Sequence, residues 1–243
     1  MTMNRMYKET IMTLCLGCLA FASTQVLAYG DLSLSVGGRI MTSGWQGQNK
    51  ASGQKFNSDG STLAGFNLML QKGRFYTGLN IQGGNYQFKG EAPDKMDATG
   101  RTASSGVIIN RSELDLTAGY YLWPRFSFFL DIKGITNKWN NENYKLGAVG
   151  VGAGVTGFIP FNPTWISYGT FGIVPLNLTA NGKDVGNGTG SALEIGGLYN
   201  FNPHNRLNFG IKLQNQQFKF SSGENQSHQV NSLFLGYNHI FMF

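Results

Sequence analysis

The chain has 243 residues and a net charge of +6, and only 13% of its residues are charged; a typical globular domain has about 25%. The basic residues are scattered and not clustered, which argues against a nucleic-acid-binding protein. No apolar run approaches the roughly 18 residues that would indicate a membrane-spanning helix. No segment has a helical period either, so a single all-β domain is expected.

The first 28 residues have the layout of a secretory signal peptide cleaved after Ala28. Arg5 and Lys8 give it a positive start. Its apolar core, residues 11–22, is shorter than the roughly 20 residues that a spanning helix needs. We therefore expect the mature chain to be one domain, residues 29–243.

Both cysteines, Cys15 and Cys18, lie within this leader segment. The exported chain is therefore expected to hold no disulfide, no thiolate metal site and no cysteine nucleophile. A lipoprotein acylated at Cys18 is an alternative, which the very short apolar run before that residue disfavours.

From Leu32 onward, apolar and polar residues alternate with the period of two that places successive side chains on opposite faces of a strand. Pro175 weakens the seventh of these segments, and merging it with a neighbour would give eight strands instead of ten. The ten predicted strands are residues 32–44, 61–71, 74–88, 108–122, 126 onward, 144–159, 164–178, 191–201, 205–220 and 229–243.

The fourth predicted strand alternates most clearly. Leu114, Leu116 and Leu122 fall on one face, whereas Arg111 and Glu113 fall on the other. Two such faces indicate a sheet with one apolar side and one polar side.

The connections between the predicted strands alternate in length. Every second connection is a short turn. The others are interpreted as long polar loops rich in Gly, Ser and Asn: residues 46–60, 90–106, 137–143, 181–190 and 221–228.

The last strand has one apolar face that ends in aromatic side chains. That face consists of Leu233, Leu235, Tyr237, His239, Phe241 and Phe243. The ending resembles that of the bacterial outer-membrane β-barrel proteins, whose final strand typically closes on an aromatic residue, most often Phe. Such a strand fits a position against lipid, with its aromatic end at the membrane–water boundary.

The resemblance implies a transmembrane, antiparallel, up-and-down β-barrel in the outer membrane of a Gram-negative bacterium. Such barrels have short periplasmic turns and longer outer loops, so an even strand count puts both ends of the barrel domain in the periplasm. Outer-membrane lipid, lipopolysaccharide and the barrel-assembly machinery are the expected partners, the last through Tyr237, Phe241 and Phe243. A monomer is favoured, and no cofactor is expected.

The inward face of the predicted barrel carries as many acidic as basic residues. A wide ion-selective pore would favour one sign of charge, and charges kept from water need partners. The alternation therefore predicts a narrow lumen filled by ion pairs. The inward ionisable residues are Arg39, Arg111, Lys133 and Lys212 on the basic side and Glu113, Asp115, Asp131 and Glu194 on the acidic side.

The turn positions predict two specific ion pairs. A three-residue turn at residues 123–125 places Asp115 opposite Lys133, and residues directly opposite one another share a face. A turn at residues 202–204 places Glu194 opposite Lys212 in the same way. The alternative, that these charges line a wet lumen without pairing, stays open here.

The sixth predicted strand has a nearly bare inward face made of Gly150, Gly152 and Gly154. These glycines make room either for a ligand or water path, or for long side chains such as Arg39. A barrel of about eight to ten strands is barely wide enough to be filled by side chains, which favours the second interpretation.

Three histidines are the candidates for acid–base chemistry. His204 is expected in a periplasmic turn, and His228 in the last outer loop four residues after Glu224. A Glu–His couple is a possible acid–base pair, but a solvated polar loop is the favoured interpretation. His239 is expected to face lipid, where a lipid-cleaving enzyme would also need a serine and an acid; an interfacial polar tip is preferred.

The second outer loop contains three acidic residues, Glu91, Asp94 and Asp97, interrupted by Lys95. They would suit a divalent cation or lipopolysaccharide, but a plain solvated loop is favoured. No zinc-protease, serine-hydrolase, phosphate-loop or calcium-loop motif occurs.

The favoured function is therefore a non-catalytic structural or surface barrel with a narrow, ion-pair-filled lumen. A small porin-like channel for ions or solutes is the first alternative. A lipid-modifying or surface enzyme is the second, and a binding module built on the outer loops is the third.

Overall fold

The computed structural model describes residues 32–50, 52–97, 100–140 and 142–243. The predicted signal peptide, residues 1–28, lies outside these residues. Within the described ranges, no helix is long and apolar enough to cross a membrane.

Ten long antiparallel strands form a closed barrel, and three short strands lie at one of its ends. The prediction of ten strands is confirmed, including the one that contains Pro175. In the described part of the chain the strands are β1 (Leu32–Asn49), β2 (Gln54–Asn57), β3 (Ser61–Lys72), β4 (Phe75–Glu91), β5 (Lys95–Asp97), β6 (Gly100–Thr102), β7 (Ser105–Trp123), β8 (Phe126–Trp139), β9 (Lys145–Pro160), β10 (Trp165–Ala180), β11 (Lys183–Asn202), β12 (Asn205–Phe220) and β13 (Asn225–Met242).

The barrel closes because the first strand pairs with the last. The long strands follow one another around the wall in chain order, and β1 pairs with β13 from Ser33 opposite Met242 to Asn49 opposite Gln226. Closure leaves no edge of the ten-strand wall unpaired, which is the condition for a sheet to lie in lipid. The short β2 pairs with the far end of β1, and β5 pairs with β6.

An apolar band surrounds the outside of the barrel. Each of the ten wall strands contributes at least one exposed, large apolar residue to it, and most contribute several. In water such a continuous surface would be unfavourable, whereas lipid accommodates it. One member from each strand is Ile40, Phe66, Ile81, Leu116, Leu130, Val151, Phe171, Ile195, Ile211 and Leu235.

The two ends of the barrel differ, and we name them by their connections. At the turn end, residues 73–74, 124–125, 161–164 and 203–204 join the strands; at the loop end, the strands run on beyond the apolar band. On β7, for example, the outward face changes from Leu114 to the polar Ser112 and Asn110, all exposed.

Several segments that were predicted as loops are strands or short turns. The interpretation of residues 181–190 as a loop is wrong, because Asn181 and Gly182 alone join β10 to β11. Both have positive φ, 50° and 82°, the conformation that a two-residue hairpin requires and that Asn-Gly favours. Residues 46–60 and 90–106 likewise contain the ends of wall strands together with β2, β5 and β6.

The glycine row of β9 is filled by side chains from the neighbouring strands and not by Arg39. A Cβ built on Gly154 would lie 2.2 Å from the Phe129 ring, and one on Gly150 would lie 1.8 Å from the Pro175 carbonyl oxygen. The β9–β10 pairing is interrupted beside Pro175, which has no N–H to donate. The glycines thus let two strands and their side chains approach closely.

Gly150→Ala is expected to lower the free energy of unfolding by about 1–3 kcal/mol, because overpacked positions force the backbone to shift. Gly169→Ala is the matched control, since a Cβ there would have no atom within 4 Å. Urea titration of the refolded variants, followed by tryptophan fluorescence, measures both. Equal stability of the two variants would contradict the close approach.

Candidate functional site in the lumen

The eight inward ionisable residues that the sequence predicted form a layer across the middle of the lumen, here called the charged layer. Its centre is the Glu113 carboxylate on β7, which is 4% exposed. Five side chains from β4, β7, β8 and β12 surround this carboxylate. Their distances to it are 2.7 Å for Arg111, 3.7 Å for Lys133, 3.9 Å for Lys212, 2.8 Å for Gln82 and 2.8 Å for Gln214.

Two of these contacts span the lumen, because Gln214 and Lys212 both lie on β12. Gln214 Nε2 on β12 donates to Glu113 Oε2 on β7 at 2.8 Å, and these two strands are five positions apart in the ten-strand wall. They therefore lie on opposite sides of the barrel. A direct hydrogen bond between them means that side chains fill the full width of the lumen at this level.

The two predicted registers occur, but only one of the two predicted ion pairs forms. Asp115 lies opposite Lys133, and the Lys133 Nζ–Asp115 Oδ1 distance is 2.5 Å. Glu194 lies opposite Lys212, yet the two are not an ion pair. Instead, Glu194 accepts hydrogen bonds from Arg39 at 3.3 Å and from Tyr168 at 2.8 Å.

The missing pair has a simple geometric reason. The Lys212 ammonium group extends toward Glu113 on the far wall, and Arg39 reaches Glu194 past two intervening strands. In a lumen this narrow, long side chains reach residues across it as easily as their cross-strand neighbours.

The remaining member of the charged layer, Asp131, lines a cavity of about 310 Å³.

Toward the loop end, an apolar cluster occupies the lumen; we call it the apolar plug. Its residues face inward from the wall and from β2 and β5, and all are nearly inaccessible to solvent. The Trp45 ring packs against Tyr86 at 5.3 Å and Phe88 at 5.5 Å between ring centroids. Members of the plug include Trp45, Phe56, Tyr86, Phe88, Met96, Ile109, Trp139, Leu146, Leu178, Phe218 and Val230.

The apolar plug was not predicted from the sequence, because much of it lies in segments that were predicted as solvated loops. Phe56 and Met96 belong to segments whose composition is mostly polar, but they are only 3% and 1% exposed. Single apolar residues recurring in these segments, such as Phe56 and Ala92, are the signal that was available.

Tyr144 anchors the β5–β6 segment. Its hydroxyl donates to Met96 O at 2.7 Å, and burial raises the pKa of Tyr144 to about 12.

His228 belongs to the apolar plug, and its prediction as a solvated loop residue is wrong. It lies on β13 and is 2% exposed. Trp45 Nε1 donates to its Nδ1 at 3.1 Å, and its ring packs on Phe218 at 4.7 Å. Among the described residues, no hydrogen bond or ion pair joins His228 to Glu224.

Asp94 is also buried, which contradicts the prediction of a plain solvated loop. Its carboxylate lies 3.5 Å from Arg101 Nη1. Burial raises the pKa of Asp94, and Arg101 acts in the opposite direction. Asp97 accepts a hydrogen bond from the Gly100 N–H at 3.0 Å. The ranges that the structure describes hold no cluster of three or more metal-ligating side chains.

His239 and His204 lie together at the turn end. His239 Nδ1 is 2.9 Å from Asn205 Oδ1, and His204 Nδ1 is 3.0 Å from the Ile240 carbonyl. Within the described part of the chain, no contact joins His239 to a serine or a carboxylate. Of the C-terminal aromatic residues, Tyr237, Phe241 and Phe243 are all exposed on the outside of the barrel.

The turn-end half of the lumen is open, in contrast to the loop-end half. A cavity of about 440 Å³, here called the vestibule, extends from the turn end. Asn67, Thr170 and Asn208 line both the vestibule and the smaller cavity beside Asp131. The vestibule therefore leads up to the charged layer and ends below the apolar plug.

No protein-family model and no curated sequence matches this chain. Among solved structures, it resembles the outer-membrane protease OmpT from Escherichia coli, with a TM-score of 0.52 and 11% identity over 90% of this chain and 100% of that one. Neisserial surface protein A matches 85% of this chain and 96% of its own length, with a TM-score of 0.44 and 10% identity. The fold is that of the bacterial outer-membrane β-barrels.

Glu113→Gln is expected to lower the free energy of unfolding by about 3–5 kcal/mol, because it leaves buried positive charges without their shared counter-ion. Asp59→Asn removes an exposed partner of Lys89, with an Nζ–Oδ2 distance of 3.0 Å. This control variant should lower the free energy of unfolding by only about 0–1 kcal/mol.

Urea unfolding of the refolded variants measures both effects. Adding Lys212→Met to Glu113→Gln should restore part of the lost free energy of unfolding, since it removes one of the unpaired charges. A Glu113→Gln variant as stable as Asp59→Asn would show that the charged layer is solvated and contributes little.

Proposed function

We propose that this chain is a non-catalytic barrel of a bacterial outer membrane, exported by a cleaved signal peptide, whose lumen is closed to solutes. The hydrogen bond between Gln214 and Glu113 across the full width of the barrel carries the proposal. The cavity of about 310 Å³ beside this bond is bounded by Ile135, Val174 and Leu176 of the apolar cluster, so a solute beside the bond would meet the plug.

The layers of the lumen support the same proposal. The charged layer holds four charges of each sign, and all of them except Asp131 lie within 3.9 Å of an opposite charge, whereas a selective pore uses rings of one sign. Above them, the described side chains of the apolar plug are nearly inaccessible to solvent. Ions entering it would lose hydration without replacement, which is strongly unfavourable.

The placement in the outer membrane is supported by the apolar band and by the aromatic residues at the turn end. Phe75, Trp123, Phe201, Phe241 and Phe243 are exposed there, as expected for residues at a membrane–water interface. With the short turns in the periplasm, the plugged end faces outward. Lipopolysaccharide would then surround the polar outer wall, and the C-terminal strand would contact the barrel-assembly machinery.

We expect the refolded protein to show no stable single-channel steps in planar lipid bilayers. The variants Arg39→Gln and Lys133→Gln should show no conductance either. The reason is that the block is steric and does not depend on one charge. A porin measured in the same bilayers serves as the positive control.

A reproducible conductance whose ion selectivity changes with Lys133→Gln would overturn this proposal in favour of the channel alternative. The enzyme alternative has a separate test, because a lipid-active barrel would change the lipid A or phospholipid composition of expressing cells. That change should disappear with His239→Ala if the alternative is correct.

A further inference from the structure

The vestibule at the turn end has the composition of a ligand site. Its volume of about 440 Å³ falls in the range of small-molecule pockets, which are mostly apolar with a few placed polar groups. Met69, Phe158, Ile166, Leu198 and Ile240 contribute apolar walls. A water-filled entrance with no ligand would not require such a lining.

One basic side chain projects into this cavity without an acidic partner. Arg206 is the first inward residue of β12 after the turn at residues 203–204, and it lies opposite Asn238 on β13. Its Nε donates to Asn200 Oδ1 at 2.7 Å. None of the ion pairs among the described residues includes Arg206.

The charge of the vestibule is one-sided, unlike that of the charged layer. Arg206 and Arg125 line it, and the described residues of its lining include no Asp or Glu. The carboxylates of the lumen lie higher, in the charged layer; Asp115 and Glu194 have basic partners there, and Asp131 lines the smaller cavity. An anion beside Arg206 would therefore meet positive charge, and no described carboxylate lines the vestibule next to it.

We propose that the vestibule binds a single-chain amphiphile with one anionic head group, such as a medium-chain carboxylate. Its head would accept charge-assisted hydrogen bonds from the guanidinium group of Arg206. Its chain would displace water from the apolar walls, which favours binding in proportion to the area buried. The entry side, the periplasm, depends on the proposed function, whereas the site itself depends only on the barrel.

The test is titration of the refolded protein in lipid nanodiscs with octanoate carrying a ¹³C-labelled carboxylate, followed by NMR against empty nanodiscs. We expect saturable binding by the wild-type protein that Arg206→Gln weakens about tenfold or more, the effect of losing a hydrogen bond to a charged group. Lys72→Gln is the matched control, because Lys72 is exposed in the neighbouring turn region and does not line the vestibule.

Three further measurements identify the chemistry. Octyltrimethylammonium and inorganic phosphate should bind far more weakly than octanoate, because one has the wrong charge and the other lacks a chain. Ile166→Trp, which fills the cavity and leaves Arg206 in place, should also abolish octanoate binding. This second variant keeps the test valid if Arg206→Gln does not refold.

The proposal is overturned if wild-type protein shows no saturable binding beyond empty nanodiscs, or if Arg206→Gln or Ile166→Trp refolds and binds octanoate as well as wild type. It is also overturned if octyltrimethylammonium or phosphate binds as tightly as octanoate. None of these outcomes bears on the closed lumen, because an absence of conductance is compatible with either result.

Discussion

The pairing of β1 with β13 is the interaction on which the rest of the structure depends. Lipid offers no hydrogen-bond partners, so every backbone N–H and C=O of a spanning sheet must be paired within the protein. Closing the sheet satisfies this condition and at the same time creates an interior. The outer apolar band and the polar lumen are both consequences, since successive side chains of each strand point to opposite sides.

Closure also determines how the interior is stabilised. A ten-strand barrel is narrow, so charged side chains inside it are partly removed from water and need partners. The protein provides them by placing one carboxylate, Glu113, among several basic and amide groups. The resulting network joins opposite walls and not only neighbouring strands. The network therefore stabilises the distance between opposite walls of the barrel, in addition to the pairing of neighbouring strands.

The two halves of the lumen have different chemistry because only one half is packed. At the loop end the strands continue beyond the apolar band, and β2 and the β5–β6 hairpin fold inward to form the apolar plug. At the turn end the strands stop near the band, and the interior stays open as the vestibule. On the proposed function, the barrel is a blind cavity that a ligand would enter from the turn end.

The sequence by itself determined the barrel class, the ten strands, the two faces of each strand and the registers that place Asp115 opposite Lys133 and Glu194 opposite Lys212. These properties follow from period-two alternation and from turns, which involve residues close together in the chain. Only the tertiary structure decided that Glu194 pairs with Arg39 and that His228 is buried against Trp45. Both contacts join residues distant in sequence: Arg39 reaches Glu194 past two strands, and Trp45 meets His228 because β1 pairs with β13. No local pattern records them, because they depend on the closure of the barrel.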